Sequence, residues 1–273
     1  MPELPEVETI RVGLEPHVVG RTFSHVEIDD PRLTRPHDPM ETAAELIGET
    51  VAALERRGKY LVVRFESGRV LLIHLRMTGS LLLLRNDAPD DPYRRAVINL
   101  DNGLDVGYRD VRRFGTWLLL EPGELEPYLA SRVGDEVLDR RLSARALQAT
   151  LERRRAPIKA VLLDQRMFAG VGNIYADEAL WWARIHPLRQ ASTLDRAELQ
   201  SLLRGVRKSL GHGIARQGAT LRDYRGADGR VGSMQREFRV YGRAGEPCTR
   251  CGTPIEKTRA GGRGTWYCPG CQL

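Results

Sequence analysis

Four cysteines stand in the last 26 residues as Cys248-x-x-Cys251 and Cys268-x-x-Cys271, with sixteen residues between the pairs. That spacing suits a tetrahedral metal, because each pair forms one thiolate knuckle and the intervening residues form a hairpin that brings the knuckles together. Disulfides are the alternative, and they are disfavoured in a cytosolic chain. A four-thiolate site has no open position, so one zinc per chain is expected to fold the tail and do no chemistry. Between the knuckles, Lys257, Arg259 and Arg263 surround Gly261-Gly262. A hairpin tip carrying Arg263 is either a phosphate contact or a solvated turn.

At the other end, Met1 precedes the small residue Pro2. Removal of the methionine would leave a prolyl secondary amine. An α-amino group has a reference pKa near ~8 against ~10.4 for lysine, so far more of it is neutral and nucleophilic at ordinary pH. Condensed with a sugar C1′, such an amine becomes an iminium with a fixed positive charge, which is a strong electron sink. Glu3 is adjacent and can move protons, while Glu6 and Glu8 read as acids at the positive end of a helix. Of the 42 Lys and Arg residues only four are lysines: Lys59, Lys159, Lys208 and Lys257. Coding bias accounts for that, although a lysine offers a compact, titratable ammonium that arginine does not.

Gly170-Val171-Gly172-Asn173-Ile174-Tyr175 resembles a nucleotide loop only at first sight. A dinucleotide fingerprint needs a strand before it and a small residue where Tyr175 stands, so that reading is rejected. What remains is a tight turn into a helix capped by Asn173, whose free amides can hold an anion. With a basic helix upstream and Lys159 nearby, the anion would be a DNA phosphate. The turn is equally readable as a plain packing joint.

These residues need elements to position them. Residues 5–18 read as a helix with Pro5 in its first turn and Val7, Ile10, Leu14 and Val18 on one face. Candidate strands follow at 22–28, 50–56, 59–66, 69–76, 79–85, 95–101, 104–109 and 116–120, punctuated by Ser67-Gly68 and Asp101-Asn102-Gly103. Many short strands with turns between them predict an antiparallel sandwich or barrel. After about residue 122 the period becomes helical. A capped basic helix starts at Ser143 and runs through 155, with others at 157–165, 173–185 and 195–217. Glycine and aspartate make 225–233 a mobile loop, and the tail from 235 reads as strand-like.

The hydrophobic fraction of 41% supports ordinary cores, and the net charge of +6 with a pI near 9.3 admits a polyanionic partner. No run approaches the roughly 18 apolar residues of a membrane span, and the acidic start MPELPEVETI is unlike a signal peptide. A cytoplasmic protein with no membrane partner is expected.

Taken jointly, PELPEVE at 2–8, RRGKYL at 56–61, HLRMTG at 74–79, RDVRRFG at 109–115, GVGNIYADE at 170–178, VYGR at 240–243 and GGRGTWYCPGCQ at 261–272 resemble the bacterial formamidopyrimidine-DNA glycosylases across the whole chain. The resemblance implies an α+β multidomain fold: an N-terminal antiparallel β-sandwich flanked by helices (1–122), a helical domain with a helix-two-turns-helix element (123–234) and a four-cysteine zinc finger (235–273). It implies a monomer acting on damaged double-stranded DNA. Pro2 then looks like the Schiff-base nucleophile and Glu3 like the acid, or a positioning group. Lys59 would serve β-elimination and Arg263 δ-elimination. Asn173 and Arg263 would grip phosphates with help from Tyr241, and Met77, Arg112 and Phe114 look like the wedge that fills the hole left by an extruded nucleotide. Extrusion costs a few kcal/mol of stacking and pairing, which an apolar plug and an arginine would partly offset. Met77 and Phe114 as plain strand core is the competing reading.

Three positions depart from the family pattern. Tyr93-Arg94-Arg95 replaces the usual His-x-His, so a DNA contact there would come from Tyr93 or an arginine. Arg155 keeps the basic position four residues before Lys159. Gly232-Ser233-Met234 stands where an aromatic is common in the loop over the extruded base. The implied activity is excision of 8-oxoguanine and ring-opened purines followed by β,δ-elimination. An endonuclease VIII-like enzyme for oxidised pyrimidines is the alternative, against which Leu4 and the Arg112-Arg113-Phe114 run argue. A catalytically silent zinc-finger DNA-binding protein is the third reading, and Pro2, Glu3 and Lys59 argue against it.

Overall fold

The computed structural model describes residues 1–84, 90–139 and 142–273, and the alternating stretch up to residue 120 becomes two four-stranded antiparallel sheets. One sheet has the order β1 (Phe23–Ile28), β6 (Arg94–Leu100), β7 (Asp105–Asp110), β5 (Gly79–Leu84). The other runs β2 (Val51–Arg57), β3 (Tyr60–Phe65), β4 (Val70–His74), β8 (Thr116–Leu120). Each expected strand is present within two residues; residue 85 of the strand expected at 79–85 lies outside the described residues. Alternation buries every second residue of β6, and Gly103 at φ +80° closes the turn into β7, as the Asn-Gly pair requires. β3 and β4 are buried almost throughout, and their Leu61, Val63, Leu71 and Ile73 face the core that helix α1 (Leu4–Val18) shares. The predicted apolar face of α1, Val7, Ile10, Leu14 and Val18, joins this core together with Trp117 and Tyr108.

Two compact units emerge: residues 1–130 with 216–233, and residues 131–215 with 234–273. The first also holds α2 (Pro39–Leu46) and α3 (Leu125–Ala130), which the period had not disclosed. Residues 216–233, expected in the helical segment, group with the sandwich instead. The expected mobile loop at 225–233 is docked. Leu83 N on edge strand β5 donates to Ala227 O at 2.8 Å, and Ser80 Oγ donates to Arg225 O at 2.8 Å. An edge strand presents unpaired amides, and this strap uses them. Small residues permit the approach: a Cβ at Gly13 of α1 would lie 2.9 Å from Ala227 Cβ.

In the second unit, Ser143 caps α4 (Ala144–Leu151) by accepting from Ala146 N at 3.2 Å. The helix stops at Leu151 and does not reach 155; Arg154 O instead accepts from Ser192 N at 3.0 Å. Then come α5 (Ile158–Leu163), α6 (Asn173–Ala183) and α7 (Arg196–Ala215). α6 and α7 meet closely because Gly205 and Gly213 face Ala179 O and the Tyr175 ring, where any Cβ would clash. The tail is less strand-like than expected. Apart from an isolated bridge between Pro247 and Pro254, only β9 (Glu256–Ala260) and β10 (Arg263–Tyr267) pair; residues 234–237 form a 3₁₀ turn, and residues 241–252 are mostly turns that bend the first knuckle. Among the described residues no helix is long and apolar enough to cross a membrane.

Candidate functional site

In the first unit the site is built from the start of α1. Pro2 is buried behind a half-exposed Met1, and Glu3, 2% exposed, is extended and precedes the helix. Glu6 does more than favour a helix start. Its Oε2 accepts from Glu3 N at 2.8 Å and its Oε1 from Ala219 N at 2.7 Å, so one buried carboxylate ties the residue after Pro2 to the strap. Burial opposes ionisation of Glu8, but the Arg11 and Arg56 guanidiniums prevail and hold it below the usual carboxylate range. Arg56 Nε lies 3.0 Å from Glu8, and Arg56 Nη1 donates to Gly58 O at 3.0 Å. Hence the β2–β3 turn that carries buried Lys59 is fastened to the first turns of α1.

His74, not singled out from the sequence, belongs to this group. It ends β4 opposite Tyr60, with the two rings edge to face at 4.6 Å, and its Nδ1 accepts from Arg76 N at 2.9 Å. Burial above all, then the charges of Arg76 and Lys59, push its pKa down to about 3. The ring is therefore neutral with its proton on Nε2. A histidine closing the apolar strand VLLIH reads as core in sequence, which hid it.

Met77 and Phe114 lie on loops, outside the strand core. Met77 is in the turn between β4 and β5, and Phe114, 50% exposed, is between β7 and β8 with the Arg112 guanidinium 4.8 Å over its ring. Tyr93 is exposed beside Arg109 and Arg95, at 5.0 and 5.9 Å from its ring. Those arginines are engaged elsewhere, Arg95 Nε donating to Asp110 O and Arg109 Nε to Asp91, while Arg94 pairs with Asp90.

The second unit corrects two expectations. Gly172, and not Asn173, caps α6; Asn173 is the first helical residue, and its Nδ2 donates to Gly264 O at 3.1 Å while Oδ1 is buried without a partner. Lys159, expected near a DNA phosphate, is fully buried. Its Nζ lies 2.7 Å from Asp177 Oδ1 and donates to Gly264 O at 2.8 Å and Thr265 Oγ1 at 2.9 Å. Asn173 and Lys159 thus converge on the carbonyl next to Arg263. Gly261, at φ +56°, lets the hairpin tip approach Ala160 of α5, and Arg263 itself is exposed.

The two acids of GVGNIYADE have separate duties. Asp177 Oδ2 accepts from Trp266 N at 3.1 Å; burial raises its pKa to about 7 against the pull of Lys159. Glu178 accepts from the backbone N–H groups of Arg239, Val240 and Tyr241 at 2.9 to 3.0 Å, and burial raises its pKa while those amides partly offset the shift. The Tyr241 ring then packs against Trp266 at 4.6 Å and Phe238 at 5.4 Å. Arg155 is exposed in the connection before α5.

The four cysteines are unlinked, and their Sγ atoms all lie within 4.8 Å of one another, with pairs at 3.2, 3.5 and 3.9 Å. A tetrahedron with metal–sulfur bonds of ~2.3 Å has edges of about 3.8 Å, so the donor set fits one metal ion. Cys248 Sγ also accepts from Trp181 Nε1 and Arg250 N, each at 3.4 Å, which holds a thiolate in place.

Known proteins share this arrangement. Family models described as formamidopyrimidine-DNA glycosylase N-terminal domain, formamidopyrimidine-DNA glycosylase H2TH domain, and zinc finger found in FPG and IleRS match residues 1–117, 133–225 and 245–273. The formamidopyrimidine-DNA glycosylase of Herpetosiphon aurantiacus is 42% identical over the full length of both chains. That of Symbiobacterium thermophilum is 46% identical over all of this chain and 89% of its own length. A Lactococcus lactis FPG mutant, G226P, solved with Fapy-dG containing DNA, superposes with a TM-score of 0.93 at 37% identity over all of both chains. The Lactococcus lactis Fpg solved with abasic-site DNA gives 0.92 at 37% identity over 99% of each.

Proposed function

The chain belongs to the formamidopyrimidine-DNA glycosylase family, and from that premise we propose that it is a cytoplasmic monomer that excises oxidised purines from duplex DNA and cleaves the strand, with Pro2 as nucleophile. The observation that carries this reading is the clamp on Glu3 N by Glu6, which holds Pro2 at the head of α1, while Glu8 and Arg56 fasten the Lys59 turn to the same helix. Once Met1 is removed, the neutral Pro2 nitrogen attacks C1′ of an extruded nucleotide; the N–C1′ bond forms as the bond to the base breaks, and the base leaves as its anion and takes up the proton that the attacking amine sheds. The C1′–O4′ bond then opens, O4′ takes a proton from Glu3, and Pro2 becomes an iminium. Its charge drains electrons from the sugar, so C2′ loses a proton and the C3′–O bond breaks, with Lys59 serving the departing phosphate. Loss of the C4′ proton and of the C5′ oxygen follows, with Arg263 at that phosphate.

Tyr93, Arg155, Asn173 and Tyr241 hold backbone phosphates or sugars, and Met77, Arg112 and Phe114 fill the vacated stack. The four thiolates hold one structural zinc, which supplies folding energy when bound. A second substrate class has one observation in its favour, since the wild-type Lactococcus lactis FPG (MutM) was solved with an oxidized pyrimidine containing DNA.

Borohydride reduction during turnover of 8-oxoguanine duplex tests the chemistry. A covalent adduct whose digest carries the sugar on Pro2, read by mass spectrometry, is expected. An adduct on Lys59, or none, overturns the assignment. Release rates from a panel of oxidised pyrimidines rank the two substrate classes.

A further inference from the structure

Asp110 closes β7 and is 1% exposed, and its two oxygens are divided between two loops. Oδ1 accepts from the hydroxyl of Thr78, the residue after Met77, and from Arg112 N at 3.2 Å. Oδ2 accepts from Phe114 N at 2.9 Å and Gly115 N at 2.8 Å. Thr78 Oγ1 also accepts from Arg112 N at 2.9 Å, which closes the ring between the loops. Beneath them Tyr108 is fully buried, and a Cβ at either Gly79 or Gly115 would overlap its hydroxyl, so both loops are seated on one phenol. Arg113 faces away: it grips Asp30 through Nε and Nη2 at 2.6 and 2.8 Å, leaving Arg112 to stack on Phe114.

We propose that Asp110 is the positioning residue of the extrusion wedge, presenting Met77, Arg112 and Phe114 as one preformed unit although its carboxylate is buried beneath them. The proposal rests on the wedge reading given above. Opposite a carboxylate, four donors are held in place before DNA arrives, so extrusion does not have to order the loops as it proceeds. An amide at position 110 keeps one acceptor and turns a donor toward N–H groups, which frees at least one loop.

Stopped-flow fluorescence of 2-aminopurine opposite the lesion reports unstacking, and single-turnover release of 8-oxoguanine reports excision; cleavage of a preformed abasic site needs no base to be extruded. Asp110→Asn is expected to slow unstacking and excision about tenfold or more, with abasic cleavage and KM within about twofold. Thr78→Val, which removes one hydroxyl with little change of shape, should slow both steps about threefold; it carries the test alone if Asp110→Asn does not fold. Wild-type unstacking in both variants, beside slow unstacking in Phe114→Ala, overturns the role of Asp110 and leaves the wedge standing. Wild-type unstacking in Phe114→Ala removes the wedge itself and the proposal with it. An equal loss of excision and abasic cleavage assigns Asp110 a merely structural role.

Discussion

The sandwich and the cysteine-rich tail both seat exposed side chains on buried polar groups, but they stand on different foundations. In the sandwich, Phe23, Leu61, Leu71, Trp117 and their neighbours form an apolar core before any polar contact is counted, and Glu6 and Asp110 only aim loops. In the tail, the buried apolar set is little more than Val240 and Ile255 with Cys248 and Cys268 against Trp181. So small a cluster does not order such a segment without a staple. Here the staples are the thiolates, the Lys159–Asp177 pair and the amides gathered on Glu178. Losing a polar contact should therefore cost the sandwich function and cost the tail its structure.

Stripping the metal with a chelator is the strongest way to break that contrast. Structural zinc contributes roughly 10–16 kcal/mol in small metal-folded units. Amides of residues 245–273 should lose hydrogen-exchange protection while those of β3 and β4 keep theirs; a tail that stays protected would remove the distinction. Next in size, Lys159→Met strands a buried carboxylate and should destabilise the second unit by about 3–5 kcal/mol in denaturant titrations. Lys159→Met/Asp177→Leu should recover most of the loss, because neither charge then remains buried. A double variant no better than the single would place the cost in packing.

The sandwich has its own titrating group. His74 is neutral in the fold down to about pH 3, whereas the unfolded chain takes up the proton at the ordinary value of 6.5. The unfolded state binds more protons between these limits, so stability is intact above 6.5 and falls as pH drops toward 3, by at most about 1.4 kcal/mol per pH unit. His74→Asn should flatten this part of the melting-temperature profile, and an unchanged slope would exclude His74. At the small end, the exposed Arg64–Glu55 pair at 2.8 Å should be worth under about 1 kcal/mol. Arg64→Ala melting near wild type is the reference against which the buried contacts count.

What the sequence disclosed follows the same division. Alternation and turn residues mark the strands because those signals are local, and two Cys-x-x-Cys pairs mark the metal cluster because four thiols near one another have few other uses. Asp38 and Pro39, at the cap and first turn of α2, were equally readable signals that the strand pattern overshadowed. Lys159, and the contacts that Asn173 makes inside the protein, were missed for a different reason: both act on Gly264, 105 and 91 residues further on, and no short window contains their partner. The strap was misread likewise, since glycine-rich composition signals a loop but not the edge strand and the Gly13 surface that receive it. Arg112 was preferred over Arg113 for the wedge by resemblance alone; the grip of Asp30 on Arg113 is a contact 83 residues away that no short window contains.

That strap also sets an order in time. Residues 1–130 leave the ribosome first, yet the unit they belong to lacks residues 216–233, and with them the Ala219 N–H that occupies half of the Glu6 carboxylate. At ordinary elongation rates the missing piece arrives roughly 5–20 s later. The segment carrying the proposed nucleophile is thus made well before the unit around it is finished, so a nascent or truncated product has Glu6 clamping Glu3 before it has the second anchor that Ala219 supplies.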